Sequence, residues 1–387
     1  MRPAIQVTVD GTPVAGAFYE RLVSLSVTDK DGLKSDTVDI ELNDGPPAFL
    51  AIPPTGAIIT VKVGYGNALV SLGDFTVDKV KLKCMPYRMT ISGKAADLRS
   101  GKLKERQERS WDNRTLGDIV GDIARESNLT PALDPGLASY RYDWIAQQDE
   151  TNLHFLRRLA ERHNGLFSIK QGRLLFSKAG SGLSASGTSL GTIVVTPEIA
   201  KIDSINVEIA DRTKYSKVVA YYQDQKKAER VEIEADGDAD GDSVFRIPDT
   251  FASPDEADKA AQAKAKSLKR GEGAASVTVI GDPSVCAGAP LLFSRIRPGV
   301  DGVPYVIDTA THKYSKTEGY TTDISAKLYD GKSATEPDED GGSGSGNSGS
   351  STKTAEAGKV APNAATGTPA TPTSFLAPRR YGRTDEN

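Results

Sequence analysis

The sequence predicts a β-rich α+β protein in which two strand-rich modules flank a small helical unit. Apolar residues alternate with a period of two through most of residues 1–100 and again after about residue 202, as in half-buried strands. Between these regions the apolar spacing becomes helical. In residues 333–374 the only large apolar side chain is Val360, so we expect residues 332–387 to form a disordered tether.

The first module is predicted over residues 1–100. Its alternating apolar positions include Val23, Leu25, Val27, Val38, Ile40, Leu42, Ile59, Val61 and Val63. The dipeptides Asp10-Gly11 and Asp31-Gly32 lie between such runs and are typical of tight hairpin turns. We expect a small barrel or sandwich.

The helical unit is predicted over residues 101–180. A first helix has apolar residues from Leu116 to Ala124, with Thr115 as its N-cap. A second helix is predicted from about Glu150 to His163, closed by Asn164-Gly165. A hairpin should follow, with its turn at Gln171-Gly172.

The second module is predicted over residues 181–331 and contains one helix, at about residues 254–270. Ser253 can cap this helix, Pro254 suits its first position and Glu256 completes an S-x-x-E capping box. Gly271 should end it.

Two segments of the chain resemble each other. Phe75-Thr76-Val77-Asp78 followed by Ile91-Ser92-Gly93-Lys94 has the same pattern as Tyr305-Val306-Ile307-Asp308 followed by Ile324-Ser325-Ala326-Lys327. The residues alone are compatible with a duplicated β-module and with coincidence between short strand patterns, because the intervening lengths differ.

Composition excludes several classes of protein. The net charge of −4 and the 6% aromatic content argue against a dedicated nucleic-acid binder. No apolar run has the roughly 20 residues of a membrane helix, and the first residues do not resemble a signal peptide. Cys84 and Cys286 are too few for a disulfide framework, and we expect two buried or half-buried thiols made in a reducing compartment.

The residues that usually carry catalysis or bind metals are sparse. His154, His163 and His312 match no zinc or nucleophile motif, and we expect them to be surface or hydrogen-bonded structural residues. The acidic run at residues 236–242 begins like an EF-hand loop, but Ile247 stands where the bidentate Glu is needed. We expect a solvated hairpin loop, with weak Ca²⁺ binding as the open alternative. We predict no catalytic site, no cofactor and no required metal.

The stretch at residues 144–165, WIAQQDETNLHFLRRLAERHNG, resembles the signature of the phage late control protein D family. Residues 281–322 are similar to the carboxy-terminal region of that family, and the resemblance extends over about residues 1–331. Because related stretches recur in the spike proteins of type VI secretion, it is moderately specific.

The resemblance implies a structural baseplate hub of a contractile phage tail or tailocin, and not an enzyme. Family members are trimers in which each chain carries two domains that resemble the tail-tube subunit. Such a hub connects the six-fold tail tube to a three-fold membrane-piercing spike. The implied partners are further copies of the chain, the tube protein, the central spike and other baseplate proteins, without a specific nucleic acid or stable membrane association. The particle would assemble in the bacterial host cytoplasm.

Two alternatives are less consistent with the sequence. A type VI-like spike would carry a further barrel and a β-helix, but here the hub region leads into a Gly/Ser-rich tail. A tail-associated peptidoglycan hydrolase would need a catalytic constellation that the sequence does not display.

The end of the tether is unusual because it regains aromatic and arginine side chains. These types carry much of the binding energy at protein interfaces. A tether of this length spans about 35 Å, so its end can reach a neighbouring protein. A frayed end with accidental aromatics and a partner-docking peptide both remain open. The candidate docking residues are Phe375, Leu376, Arg379, Arg380, Tyr381 and Arg383.

Overall fold

The computed structural model describes residues 2–31, 35–95, 101–170, 172–178, 182, 190–209, 214–224, 228–238 and 241–329. All of them belong to one of the two units into which the chain divides, Met1–Pro337. The predicted tether, with its candidate docking residues from Phe375 to Arg383, lies outside the described residues. None of the helices in the described ranges is long and apolar enough to span a bilayer.

The first module is an antiparallel sheet whose strands follow the order β3-β4-β7-β6-β5-β1-β2. Alternate residues of these strands point to one buried cluster, which includes Val27, Ile40 and Val61. At the first hairpin, Asp10 and Gly11 both have positive φ, as a tight turn between twisted strands requires. Gly32 of the second predicted turn is outside the described residues. The elements are β1 (Pro3–Val9), β2 (Thr12–Pro13), α1 (Gly16–Arg21), β3 (Leu22–Lys30), β4 (Thr37–Asn43), β5 (Ile58–Tyr65), β6 (Ala68–Lys83) and β7 (Arg88–Ala95).

The helical insert has a core of its own, in which α3 and α5 pack with two small sheets, β10-β8 and β11-β12-β9. Thr115 is the N-cap of α3, as predicted, and forms a capping box with Asp118. The second helix starts later than predicted, because β10 continues to Thr151 and this residue is the N-cap. The elements are α2 (Gly101–Lys104), β8 (Arg106–Thr115), α3 (Leu116–Glu126), β9 (Thr130–Leu133), α4 (Pro135–Ala138), β10 (Arg141–Thr151), α5 (Asn152–Arg162), β11 (Gly165–Lys170) and β12 (Arg173–Lys178).

The rest of the chain separates into two parts. The second module consists of β14-β18-β21-β20, with β19 beside β20 and β13 beside β19. Its strands enclose a cluster that includes Val277, Phe293 and Ile324. The elements after the insert are β13 (Ile193–Val195), β14 (Asn206–Ile209), β15 (Lys217–Asp224), β16 (Glu229–Asp236), β17 (Val244–Phe251), α6 (Pro254–Arg270), β18 (Gly273–Ile280), β19 (Pro290–Phe293), β20 (Tyr305–Ser315) and β21 (Gly319–Leu328).

The segment from β15 to α6, predicted from the sequence to belong to the second module, forms a separate layer. Its strands make a sheet of their own, β16-β15-β17, and the alanine-rich face of α6 packs on Val218 and Phe251. The predicted cap is present, since the Ser253 side chain accepts a hydrogen bond from Glu256 N. In a capping box the Glu256 carboxylate would accept a hydrogen bond from Ser253 N, but here it accepts one from Ala252 N.

One strand pairing joins the two modules. β20 of the second module lies antiparallel to β3 of the first, from Thr309 opposite Lys30 to Ser315 opposite Ser24. Tyr320 of β21 contributes to the buried cluster of the first module. The two modules therefore form one 13-stranded sheet. The predicted fold class, β-rich with two β-modules around a helical unit, is confirmed.

Candidate assembly interface

In both modules an aspartate is the extra residue of a β-bulge. β6 and β7 shift register at Asp78, and β20 and β21 shift register at Asp308. Lys94 Nζ lies 2.8 Å from Asp78 Oδ2, and Lys327 Nζ lies 2.6 Å from Asp308 Oδ1. The pairs on either side of the bulge are Val77 with Gly93 and Lys79 with Ser92 in the first module, and Ile307 with Ala326 and Thr309 with Ser325 in the second.

The segment that precedes β5 has the same backbone geometry as the segment that precedes β19. Gly56 and Gly288 both have positive φ, +98° and +87°, which favours glycine. Each of these glycines and the alanine that follows it make a pair of backbone hydrogen bonds to the strand that carries the bulge. These are Gly56 N to Val77 O at 2.9 Å and Val77 N to Ala57 O at 2.9 Å, and Gly288 N to Ile307 O at 2.8 Å and Ile307 N to Ala289 O at 3.0 Å.

The two modules also share their strand order. The first contains the series β3-β4-β7-β6-β5, and the second contains β14-β18-β21-β20-β19. Because order, bulge, ion pair and glycine turn all match, the two modules are structural repeats of each other. The resemblance between the two sequence segments therefore reflects equivalent places in the fold.

The junction between the modules is packed and fully hydrogen-bonded around His312. Its Nε2 donates to Val285 O at 3.1 Å, which leaves Nδ1 to accept from Tyr320 Oη at 2.9 Å. Burial lowers the pKa of His312, so the ring is neutral at pH 7. On the adjacent strand Val27 stands opposite His312. His312 is thus a structural residue, as predicted.

Among the strand edges that carry no partner strand in the described part of the chain, two belong to the repeated modules and matter here. Lys79–Lys83, the second half of β6, pairs only with β7, and β14 pairs only with β18. Large apolar side chains are exposed at both edges: Leu82 is 48% exposed and Ile209 is 82% exposed. Unpaired strand edges with exposed apolar side chains are sites where another chain can add a strand.

A partly buried ionic cluster connects the insert to both modules. Lys170, the last residue of β11, forms ion pairs with Asp29 of β3 and with Asp36, whose Oδ2 is 3.5 Å away. Asp29 also accepts a hydrogen bond from Ala287 N of the second module at 2.9 Å. Burial raises the pKa of Asp36 to about 6 against the opposing charge of Lys170. Burial lowers the pKa of Lys170, but the charges of Asp29 and Asp36 outweigh it and the net pKa is raised.

The other two histidines also have structural surroundings. His154 is largely exposed and its Nδ1 lies 2.8 Å from Glu150. His163, the C-cap of α5, is half-buried, with Nε2 2.5 Å from Tyr142 Oη. Burial, followed by the charge of Lys259, lowers the pKa of His163 to about 4.

Two expectations about other candidate residues are wrong. Cys84 is exposed rather than buried, because it follows β6 at the turn into β7; Cys286 is half-buried, and burial raises its thiol pKa to about 11. The loop at residues 236–242 is not a hairpin, since β16 and β17 lie on opposite sides of β15 and β17 is parallel to it. Ala239 and Asp240 are outside the described residues. Across the described residues no group of three His, Cys, Asp or Glu side chains could hold a metal ion.

The signature at residues 144–165 builds the corner between β10 and α5. Gln147 is fully buried, and its amide donates to Glu150 O at 2.8 Å and to Asn152 Oδ1 at 3.0 Å. Arg158 pairs with Glu150, and Thr151 caps the helix. Four apolar residues of the helix enter the core of the insert: Phe155, Leu156, Leu159 and Ala160. The most recognisable motif of the chain is therefore a structural one.

Repeated β-modules, joined by a packed junction and separated in sequence by a helical insert, define a two-module β-sheet protein. The chain belongs to the phage tail baseplate hub family, whose model matches residues 67–318. It is 33% identical over 380 residues to a probable baseplate hub protein of Escherichia phage P2, which covers 88% of this chain and 97% of the relative. A probable baseplate hub protein of Escherichia phage 186 is 31% identical over 382 residues, with the same coverage. The family resemblance seen in the sequence is confirmed.

A solved structure agrees with this fold. The 43 kDa tail protein of prophage MuSo2 from Shewanella oneidensis superposes with a TM-score of 0.62 at 16% identity, covering 85% of this chain and 99% of that one.

The two unpaired edges, Lys79–Lys83 and β14, were not predicted from the sequence. The sequence signal that could have identified these edges is an alternating apolar pattern that continues to Leu82 and Ile209, although both side chains are exposed.

Proposed function

We propose that this baseplate hub is a homotrimer that joins a six-fold tail tube to a three-fold membrane-piercing spike in a contractile tail. The observation that carries the proposal is the repeat of one β-module within a single sheet, with the same strand order and the same bulge. Three chains then supply six equivalent modules, which match a six-fold ring. The insert occurs once per chain, so it retains three-fold symmetry for the spike.

The assembly state is the direct test of this proposal. In light scattering of the full chain with tube and spike proteins, the hub should contribute three times the 41.1 kDa chain mass to the mass of the complex. A monomer in the presence of both partners would contradict the proposal. We take the division of the chain as residues 1–100 for the first tube-like module, 101–180 for the insert, 181–331 for the second module together with the separate layer from β15 to α6, and 332–387 for the tether.

We further propose that the hub acts by binding alone, within the virion tail, after assembly in the host cytoplasm. The names of the two phage relatives describe hub proteins, and the histidines and acidic groups described above serve the fold. Peptidoglycan zymography should remain blank, and a chelator should leave the melting temperature unchanged. Clearing of the gel would show a hydrolase instead.

The terminal peptide is the remaining proposed contact. Phe375, Leu376, Arg379, Arg380, Tyr381 and Arg383 would dock on another tail protein or another hub chain. Tethering raises the local concentration of this peptide, so a weak contact suffices. Deletion of residues 372–387 should lower spike occupancy in assembled particles. Infectious particles with unchanged occupancy would refute docking.

A further inference from the structure

The strands that form the junction between β20 and β3 have equivalents in the repeat that are not joined to each other. In the repeat, β6 is equivalent to β20, and β14 is equivalent to β3. β20 and β3 pair with each other, whereas the second half of β6 and β14 have no such partner among the described residues. Six strands lie between β14 and β6 along the sheet, so the two edges do not face each other as neighbours in the strand order.

The equivalences fix a register for the missing pairing. Counting from the bulge aspartates Asp78 and Asp308, the residues Val80, Lys81, Leu82 and Lys83 correspond to Ala310, Thr311, His312 and Lys313. Counting through the strands beside them, Asn206, Val207, Glu208 and Ile209 correspond to Ser26, Val27, Thr28 and Asp29. Within the chain, Ala310 pairs with Asp29, Thr311 with Thr28, His312 with Val27 and Lys313 with Ser26.

We propose that β6 of one chain pairs antiparallel with β14 of the next chain, in the register of the internal junction. Lys81 then stands opposite Glu208 of a second copy of this chain. The flanking pairs are Val80 with Ile209, Leu82 with Val207 and Lys83 with Asn206. This inference rests on the proposed trimer, in which three such pairings close the ring.

The chemistry of the two edges agrees with this register. Side chains alternate between the faces of a strand, so Val80 and Leu82 share a face with Val207 and Ile209. Lys79, Lys81 and Lys83 share the other face with Glu208. The pairing therefore covers the exposed apolar side chains of Leu82 and Ile209 on one face and places opposite charges together on the other. A slip by one residue would bring each apolar side chain to the charged face, which disfavours registers displaced by an odd number of residues. A slip by two residues would no longer place Lys81 opposite Glu208.

Cysteine cross-linking of the full chain tests the register. The background is Cys84→Ser, because Cys84 is exposed next to β6. The variant Lys81→Cys with Glu208→Cys should form covalent trimers under mild oxidation, since each chain is linked to two neighbours. The matched control, Lys81→Cys with Val207→Cys, directs the two thiols to opposite faces and should cross-link several-fold less.

Mixing separates contacts between chains from contacts within a chain. Chains that carry only Lys81→Cys, mixed with chains that carry only Glu208→Cys, should give covalent dimers and no larger species. As a second measurement, Lys81→Glu and Glu208→Lys should each weaken assembly, and the double exchange should restore it.

The outcomes distinguish this inference from the proposed function. A hub that is trimeric by mass but cross-links no better through Glu208→Cys than through Val207→Cys overturns the pairing and leaves the trimer standing. A chain that remains monomeric with its tube and spike partners overturns both.

Discussion

Removing the charge of Lys170 should destabilise the body of the hub strongly at pH 8 and much less at pH 5.5. The variant Lys170→Met leaves the partly buried carboxylates of Asp29 and Asp36 close together without their common cation. Breaking a buried ion pair in this way costs about 3–5 kcal/mol. Because the Lys170 side chain is 28% exposed, we expect a cost near the lower limit, about 3 kcal/mol at pH 8.

The pH dependence follows from Asp36. Its folded pKa of about 6 is raised above the ordinary value of 3.8, so its folded state is favoured when it is protonated. That contribution is complete below pH 3.8 and is lost as the pH rises through about 6. Lys170→Met removes a charge that lowers the pKa of Asp36, so the variant takes up this proton at a higher pH. Each unit of additional increase reduces the cost at low pH by about 1.4 kcal/mol.

Urea unfolding at the two pH values measures this effect, with Lys94→Met as the matched control. Lys94 forms an ion pair with Asp78, but the two side chains are 59% and 54% exposed. An exposed pair contributes about 0.5 kcal/mol, with no dependence on pH in this range. If Lys170→Met costs no more than Lys94→Met at pH 8, or costs the same at pH 5.5 as at pH 8, the reasoning about the partly buried ionic cluster is refuted.

Two further predictions concern the interior of the chain. Gly281→Ala should cost about 2 kcal/mol in urea unfolding, because a Cβ there would lie 2.2 Å from the ring of Tyr320. The control Gly121→Ala in α3 places a Cβ where nothing lies within 4 Å and should stabilise by about 0.5–1 kcal/mol, so equal effects of the two substitutions would contradict this prediction. His163 has a folded pKa near 4, below its ordinary value of 6.5, so its contribution is present above pH 6.5 and up to about 3 kcal/mol is lost as the pH falls towards 4. Unfolding of His163→Gln should show a shallower acid slope than wild type, and identical slopes would refute the assignment.

Local signals in the sequence were sufficient for the helices that carry caps. Thr115 and Ser253 begin α3 and α6 where predicted, because an N-cap acts on backbone groups within three residues. The alternating apolar residues of the first module likewise become its core, since period-two burial is a property of each strand alone. The short helix α1 was missed, because it has no side-chain cap and no buried residue.

Pairings between distant segments could not be predicted in the same way. The junction of β3 with β20 joins residues about 280 positions apart, and no local pattern specifies it. The parallel pairing of β15 with β17, which separates this layer from the second module, also depends on the packing of α6. The ion pair of Lys170 in β11 with Asp29 in β3 joins residues 141 positions apart, so no local pattern predicts it either.

The sequence predicted one part of the candidate interface, the equivalence of the strands, but not their pairing. The repeated segments around Asp78 and Asp308 indicated equivalent strands, but their bulges and registers are tertiary facts. Only the structure shows that β20 and β3 pair inside the chain, whereas the equivalent strands β6 and β14 have unpaired edges among the described residues. Cys84 was expected to be buried for a related reason, since an apolar neighbourhood in sequence does not reveal that the strand ends at an edge.

The most direct test of the account is an image of the assembled hub along its axis, by electron cryomicroscopy of the complex with tube and spike proteins. We predict a ring of six β-modules from three chains, in which junctions between β20 and β3 alternate with junctions between β6 and β14 of neighbouring chains. The inserts should follow three-fold symmetry outside this ring. A ring that contains three modules, or six modules from six chains, would contradict the account.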